Sequence, residues 1–212
     1  RTLSHAELYQ AVAQLANALK AQGVKPGDRV AGWLPNIPET VVGCLAANAI
    51  GAVWSSCSPD FGVRGVLDRL GQIEPVVLIC ANAYRYNGKV HDCLDKVSEA
   101  LDELKSVHTV VVVTHIEDHP STLATDNAVD YSAWVADQPK AIEFLRLPFD
   151  HPLYILYSSG TTGVPKCIVH GQGGSLLQHL KELVLHTDVK VTERKVYWNT
   201  GGCSREQHII VS

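Results

Sequence analysis

Val76-Val77-Leu78-Ile79-Cys80 offers no polar position to water. A strand with one wet face alternates polar and apolar residues, so a continuous apolar run of this length reads as a strand covered on both faces. Thr109-Val110-Val111-Val112-Val113 repeats the pattern. Such strands need helices above and below, and the surrounding segments supply them. Ser4-His5-Ala6-Glu7 is a capping box, followed by Leu8, Val12, Leu15 and Leu19 at helical spacing and a glycine stop at Gly23. Residues 29–34 read as a strand, and Pro35-Asn36-Ile37-Pro38 breaks the chain before a helix that runs to about residue 50 and stops at Gly51. A strand at 52–56, a helix at 63–73 ended by Pro75, and a helix at 91–104 complete the series. This alternation predicts an α/β fold, a mostly parallel sheet flanked by helices. Residues 115–140 are polar and irregular, and read as a surface insertion with one short helix at 131–136.

Tyr157-Ser158-Ser159-Gly160-Thr161-Thr162-Gly163-Val164-Pro165-Lys166 is the densest concentration of chemistry in the chain. Gly160 and Gly163 lack a Cβ and can adopt positive φ, so the backbone can curl with its N–H groups pointing inward as an anion nest. Ser158, Ser159, Thr161 and Thr162 add hydroxyl donors, and Lys166 adds a mobile positive charge. These are the parts of a polyphosphate cradle. The bland reading is a polar hairpin turn. A Walker A loop is excluded, because it requires glycine before the lysine and Ser or Thr after it, whereas Pro165 and Cys167 stand there. The flanks, Leu153-Tyr154-Ile155-Leu156-Tyr157 and Cys167-Ile168-Val169-His170, both read as strands, so the loop joins strand to strand. Gly171-Gln172-Gly173-Gly174 then leads into a helix at 175–186 and is not a dinucleotide fingerprint, since Leu176 occupies the third glycine position.

Residues 158–166 resemble the phosphate loop of the adenylate-forming superfamily, which includes acyl-CoA synthetases, luciferases and the adenylation domains of peptide synthetases. The resemblance runs with gaps from about residue 1 to residue 200. Within the superfamily, Trp54 with Ser58-Pro59-Asp60-Phe61-Gly62, Val66-Leu67-Asp68-Arg69, Pro148-Phe149-Asp150-His151-Pro152-Leu153 and Leu177-Gln178-His179-Leu180-Lys181-Glu182 are similar to the acetoacetyl-CoA synthetase branch more than to the acetyl-CoA synthetases. The resemblance implies ATP with Mg2+ as cofactor and CoA as co-substrate. It implies that Ser158, Ser159, Gly160, Thr161, Thr162, Gly163 and Lys166 hold ATP phosphates, with Lys166 acting in catalysis, while acetoacetate attacks the α-phosphate. It also implies that Tyr84-Arg85-Tyr86-Asn87-Gly88-Lys89 meets the phosphorylated nucleotide end of CoA through Arg85, Gly88 and Lys89. Arg offers a bidentate fork and Lys a point charge. The other reading of Arg85 and Lys89 is two solvated surface cations.

Composition narrows the alternatives. Of 212 residues, 46% are hydrophobic and 19% charged, as in a soluble globular protein, and the net charge of −4 gives no reason to expect nucleic-acid binding. No apolar run reaches the roughly 18 residues of a membrane span, and the first residues lack a signal pattern. Cys44, Cys57, Cys80, Cys93, Cys167 and Cys203 contain no Cys-x-x-Cys pair and read as reduced thiols in a cytosolic chain. His115 and His119 are four apart in a loop-like stretch and read as no metal site; the metal expectation is none. Asp60 is open between a turn residue capping the next helix and a position beside the ligand. His170 reads as a structural residue after a strand.

Residues 1–200 are expected to form part of an N-terminal adenylation domain. Residues 201–212 depart from the family pattern and are expected to pack poorly. The superfamily's adenine-binding, ribose-binding, hinge and C-terminal lysine motifs do not occur in these residues. Two function classes are therefore carried: an acid–CoA ligase for acetoacetate, or for acetate or propionate, and a truncated non-catalytic product of such a ligase. Oligomeric state is left open.

Overall fold

The structure is a computed structural model that describes residues 3–158 and 163–188, and the backbone of 195–197 and 209–211. Helix α1 (His5–Ala21) begins at Ser4, whose Oγ accepts from Glu7 N at 3.3 Å while its backbone N–H donates to Glu7 Oε2 at 2.7 Å. The capping box thus satisfies two of the donors that a helix start leaves without partners. There follow β1 (Arg29–Trp33), α2 (Pro38–Ala49), β2 (Val53–Cys57), α3 (Val63–Leu70), β3 (Val77–Ala81), β4 (Ala83–Tyr86), β5 (Lys89–Asp92) and α4 (Leu94–Leu101). The chain continues through β6 (Thr109–Val113), β7 (Ala128–Asp130), α5 (Tyr131–Ala136), β8 (Pro152–Tyr157), β9 (Cys167–Gly171) and α6 (Gln172–Leu180), which runs on as a π-helical segment, Lys181–His186. Backbone pairing also joins β10 (Lys195–Tyr197) to β11 (Ile209–Val211), antiparallel. The remainder of the unusual 201–212 stretch lies outside the described residues.

Seven strands form one sheet in the order β7-β6-β3-β1-β2-β8-β9. Every neighbouring pair is parallel except β8–β9, which is antiparallel. Alternate residues of the central strands feed two cores. Val30, Trp54, Val77, Ile79 and Val111 pack with α1 and α2 through Leu15, Leu19 and Val42. Ala31, Val53, Leu78, Cys80 and Val110 pack with α3 and α4 through Val66, Leu70 and Val97. This is why β3 and β6 carry no polar alternation: all five residues of each are buried.

Trp54 shows how tightly the first face is filled. A Cβ added at Gly32 of β1 would lie 2.7 Å from its indole, and one added at Gly43 of α2 would lie 2.8 Å from it. The two glycines open the slot that lets the ring lie between strand and helix.

Four expectations need correction. Residues 91–104 are helical only over Leu94–Leu101; His91 instead belongs to β5, in an antiparallel hairpin with β4. The reason is Asn87-Gly88, which turns with φ of 48° and 73°, the paired positive values of a tight hairpin turn. Residues 128–130 are not part of a surface insertion but β7, the parallel edge strand beside β6; the short helix at 131–136 is present as α5. The helix from residue 63 stops at Leu70, and Glu74 takes a φ of 47° before Pro75. The helix read from residue 175 starts three residues earlier, at Gln172, and its second half is π-helical.

Candidate functional site

In an open parallel sheet, ligands gather beyond the carboxyl ends of the strands, where the loops converge. Here that edge carries residues 34–37 after β1, 58–62 after β2, the β4–β5 hairpin after β3, 114–120 after β6, and 158 and 163–166 after β8. Of the sequence-predicted phosphate and CoA residues, Ser158, Gly163, Lys166, Arg85, Gly88 and Lys89 lie on it.

The loop from β8 to β9 joins two strands, as its flanks predict, and is closed at its base. Ser158 N donates to Lys166 O at 3.0 Å, and Lys166 N donates to Ser158 Oγ at 3.4 Å. Gly163 sits at φ 137°, a region that an L side chain rarely enters, so the glycine there is required by the backbone. The structure therefore brings Ser158 and Lys166 together at one mouth, with Gly163 three residues before the lysine in the chain and the Lys166 side chain exposed to solvent. Ser159, Gly160, Thr161 and Thr162 lie outside the described residues.

The floor beneath the loop is built from three neighbouring elements. Ser55 of β2 donates its hydroxyl to Ile155 O at 2.9 Å and shares a second hydrogen bond, also 2.9 Å, with the Tyr157 hydroxyl. Arg69 of α3 stacks its guanidinium 4.2 Å over the Phe61 ring, stands 6.0 Å from the Tyr157 ring, and donates to Gly65 O at 2.7 Å. Burial pushes the Tyr157 phenol well above its ordinary range, with Cys57 and Cys167 acting in the same direction against Ser55 and Arg69. Burial likewise pushes the Cys57 thiol up to about 12 against the attraction of Arg69. These groups stay protonated at neutral pH and serve as neutral support, not as nucleophiles.

Gln72, just beyond α3, donates from one amide nitrogen to Asp68 O at 2.5 Å and to Pro165 O at 2.8 Å. Neither Gln72, Arg69 nor Ser55 carries a sequence signal for this role. The contacts that matter here join residues far apart along the chain, and only the fold brings them together.

Arg85, Gly88 and Lys89 lie on the exposed β4–β5 hairpin, with Gly88 in its turn. The register pairs Arg85 with Val90 and Tyr86 with Lys89, so the two cations are on opposite faces of the ribbon and meet only around its tip. Tyr84 stacks on His91 with ring centroids 5.2 Å apart. In strand order β3 and β8 are three spacings apart, so the hairpin root stands roughly 14 Å from the loop mouth along the sheet.

The hairpin is tied down by Asn82, which is fully buried. Its Nδ2 donates to Ile116 O at 2.9 Å and His119 O at 3.1 Å, and its Oδ1 accepts from the N–H of Ala83, His115 and Ile116. His119 Nε2 lies 2.6 Å from Asp92 Oδ2. His119 thus engages a carboxylate, and among the described residues no group of three or more His, Cys, Asp or Glu could hold a metal ion. Asp60 does not cap α3. Gly62 stands at that position, and Asp60 pairs locally with Ser58 at 3.1 Å. His170 lies within β9, not after a strand, across from Tyr154 with ring centroids 5.0 Å apart, a packing role. Among the described residues, five cysteines are free, and no helix is long and apolar enough to cross a membrane.

Comparison with known proteins places this geometry. Residues 1–204 match the family described as AMP-binding enzyme. An acetoacetyl-coenzyme A synthetase of Rhizobium meliloti (strain 1021) is 49% identical over 198 residues, covering 92% of this chain and 30% of that protein. A malonamoyl-CoA synthetase of Penicillium aethiopicum is 42% identical over 201 residues, covering 92% of this chain and 28% of that protein. The solved structure of the acetoacetyl-CoA synthetase from Streptomyces lividans superposes with a TM-score of 0.83 at 50% identity, over 89% of this chain and 28% of that one. The chain thus spans about 30% of the length of the curated relatives it matches. With the family matched over nearly its whole length, and a parallel α/β sheet to carry it, the chain belongs to the AMP-binding enzyme family.

Proposed function

We propose that this chain supplies the nucleotide-phosphate end of an acid–CoA ligase acting on acetoacetate. In the first half-reaction a carboxylate oxygen attacks the α-phosphorus of MgATP, and the bond to pyrophosphate breaks, leaving acetoacetyl-adenylate. In the second, the CoA sulfur attacks the acyl carbonyl and AMP leaves. The observation that carries this reading is the loop mouth at the carboxyl edge of the sheet, where Ser158 and Lys166 are locked to each other.

Each residue has a physical task in this reading. Ser158, Ser159, Gly160, Thr161, Thr162 and Gly163 supply hydroxyl and backbone donors to the β- and γ-phosphates, and Lys166 supplies the charge that meets the departing pyrophosphate. Holding carboxylate and α-phosphate together supplies the remainder of the rate. Mg2+ enters as part of the substrate MgATP. Arg85, Gly88 and Lys89 are the proposed contacts to the phosphorylated end of CoA. The place of such a reaction is the cytosol, where it feeds a ketone-body acid into lipid synthesis.

One observation favours a second reading of the acyl group. A relative named for malonamoyl-CoA is nearly as similar to this chain as those named for acetoacetyl-CoA. Residues shared by both cannot distinguish their acids, so another short acid, acetate and propionate included, is the alternative. The 212 residues by themselves are proposed to bind ATP without completing the ligation, since the superfamily's adenine, ribose and C-terminal lysine motifs lie outside them.

The test uses a purified protein that carries these residues together with the remaining length of its relatives. Acid-dependent exchange of labelled pyrophosphate into ATP is measured with acetoacetate, acetate and propionate. The expected result is exchange with acetoacetate well above the other two. Exchange with none of the three overturns the ligase reading, and a preference for another acid overturns the substrate. Acetoacetate-dependent pyrophosphate release by the 212-residue chain alone would overturn the division of labour.

A further inference from the structure

We propose that Gln72 is a positioning residue for Lys166, acting through the peptide unit that precedes the lysine. This rests on the reading of residues 158–166 as a phosphate site.

Proline has no N–H and a fixed φ, so the direction of the Pro165–Lys166 peptide plane depends on a single torsion, ψ of Pro165. The structure grips that plane from both ends. Its carbonyl, Pro165 O, accepts from Gln72 Nε2 at 2.8 Å, and its N–H, on Lys166, donates to Ser158 Oγ at 3.4 Å. A third bond, Ser158 N to Lys166 O at 3.0 Å, holds the far side of the lysine. With the planes on both sides of its Cα fixed, the Lys166 Cα–Cβ direction is fixed as well.

The Gln72 amide is aimed rather than free. Its nitrogen carries two protons; one goes to Asp68 O in the last turns of α3 at 2.5 Å, which leaves the second directed at Pro165. That acceptor is a backbone carbonyl of the helix, so its place is set by α3 itself. α3 in turn is anchored in the core by Val66 and Leu70, both fully buried. A rigid helix therefore reaches the loop through one exposed side chain, so its removal can loosen the loop without unfolding the chain.

The experiment titrates ATP into the 212-residue chain, following the amide resonances of Ser158 and Lys166 by NMR. It compares wild type with Gln72→Met, which keeps the length and loses the donor, and Gln72→Glu, whose carboxylate faces Pro165 O without a proton at neutral pH. Thermal melting checks that all three are equally folded. Wild type is expected to bind. Both variants are expected to bind about five-fold more weakly, the scale of one net hydrogen bond, with the Lys166 amide shifted before ATP is added. Acidification should restore a donor to Gln72→Glu and narrow its gap to wild type measured at the same pH, while Gln72→Met stays weak. A merely structural role would not give that pH-dependent rescue. If wild type binds and both variants match it, the positioning role is wrong. If wild type does not bind ATP, the phosphate-site reading falls, and this inference falls with it.

Discussion

The charge of Lys166 has no packing duty to obscure its role. The side chain is exposed, and its backbone, not its methylenes, holds the loop closed. Lys166→Ala should therefore be nearly neutral for stability. In a ligase carrying these residues, removing one charge-assisted phosphate contact costs on the order of 2–4 kcal/mol in a site shielded from water. That is roughly a 30- to 1,000-fold loss in the adenylation half-reaction. Thioester formation from preformed acetoacetyl-adenylate involves no triphosphate and should be largely spared. Lys166→Arg should restore part of the rate, since the guanidinium keeps the charge in a larger, planar shape. The check is to measure both half-reactions in the alanine variant. Equal losses in both would withdraw the phosphate role. The types and order of residues 158–166 are what carry the proposed phosphate role, and they stand in the sequence itself. The support of Lys166 from Gln72 is not legible there, because that bond spans 93 residues and depends on where the end of α3 comes to rest.

The elements divide along the same line. Helices and strands announced by local signals, the capping box of α1 and the apolar runs of β3 and β6, stand where the sequence places them, because both the signal and its cause lie within a few residues. β7 is hidden because its three residues have no room to show a period and are strand only by virtue of lying beside β6. The β4–β5 hairpin is signalled by Asn87-Gly88, but a helical reading that begins at His91 masks its second strand. Its attachment is set by Asp92, at the end of β5, bonded to His119 in the loop after β6 and accepting from the N–H of Asp95. Burial alone would raise the Asp92 carboxyl. The backbone N–H groups of Asp95 and Leu94 and the His119 partner outweigh it, and hold the carboxyl below its ordinary value of 3.8. A carboxyl depressed by folding contributes stability above its unfolded value and loses it as the pH falls through the folded one. Urea midpoints of wild type and Asp92→Asn should thus differ above about pH 4 and converge as the solution is made more acidic than the ordinary carboxylate range. A gap that stays constant or widens in acid would show that the ionised carboxylate does not fasten the hairpin.

At the scale of the whole molecule the sheet is unevenly covered, and that unevenness sets an order of local stabilities. β1 and β3 lie between paired neighbours, and β6 between β3 and β7; their side chains are sealed by α1 and α2 on one face and by α3 and α4 on the other. Among the described residues β9 pairs only with β8, and its Ile168 and Val169 are 46% and 57% exposed. α6 beside it leaves Leu176 and Leu177 each 60% exposed, against fully buried Leu15 and Leu19 in α1. An opening that releases β9 and α6 surrenders one ladder and little buried apolar surface. An opening that releases β3 surrenders two ladders and both cores. Amide exchange proceeds through whichever opening is cheapest for each segment, so protection should follow this difference. In native-state hydrogen exchange, Val30, Leu78, Ile79, Val110 and Val111 should exchange only through global unfolding, with rates that rise steeply with denaturant. Amides of 168–171 and of α6 should exchange faster and respond weakly to denaturant, because their opening exposes little new surface. Equal protection of Ile168 and Ile79 would mean that β9 and α6 unfold only together with the central sheet, and the ranking of stabilities drawn from burial would be wrong.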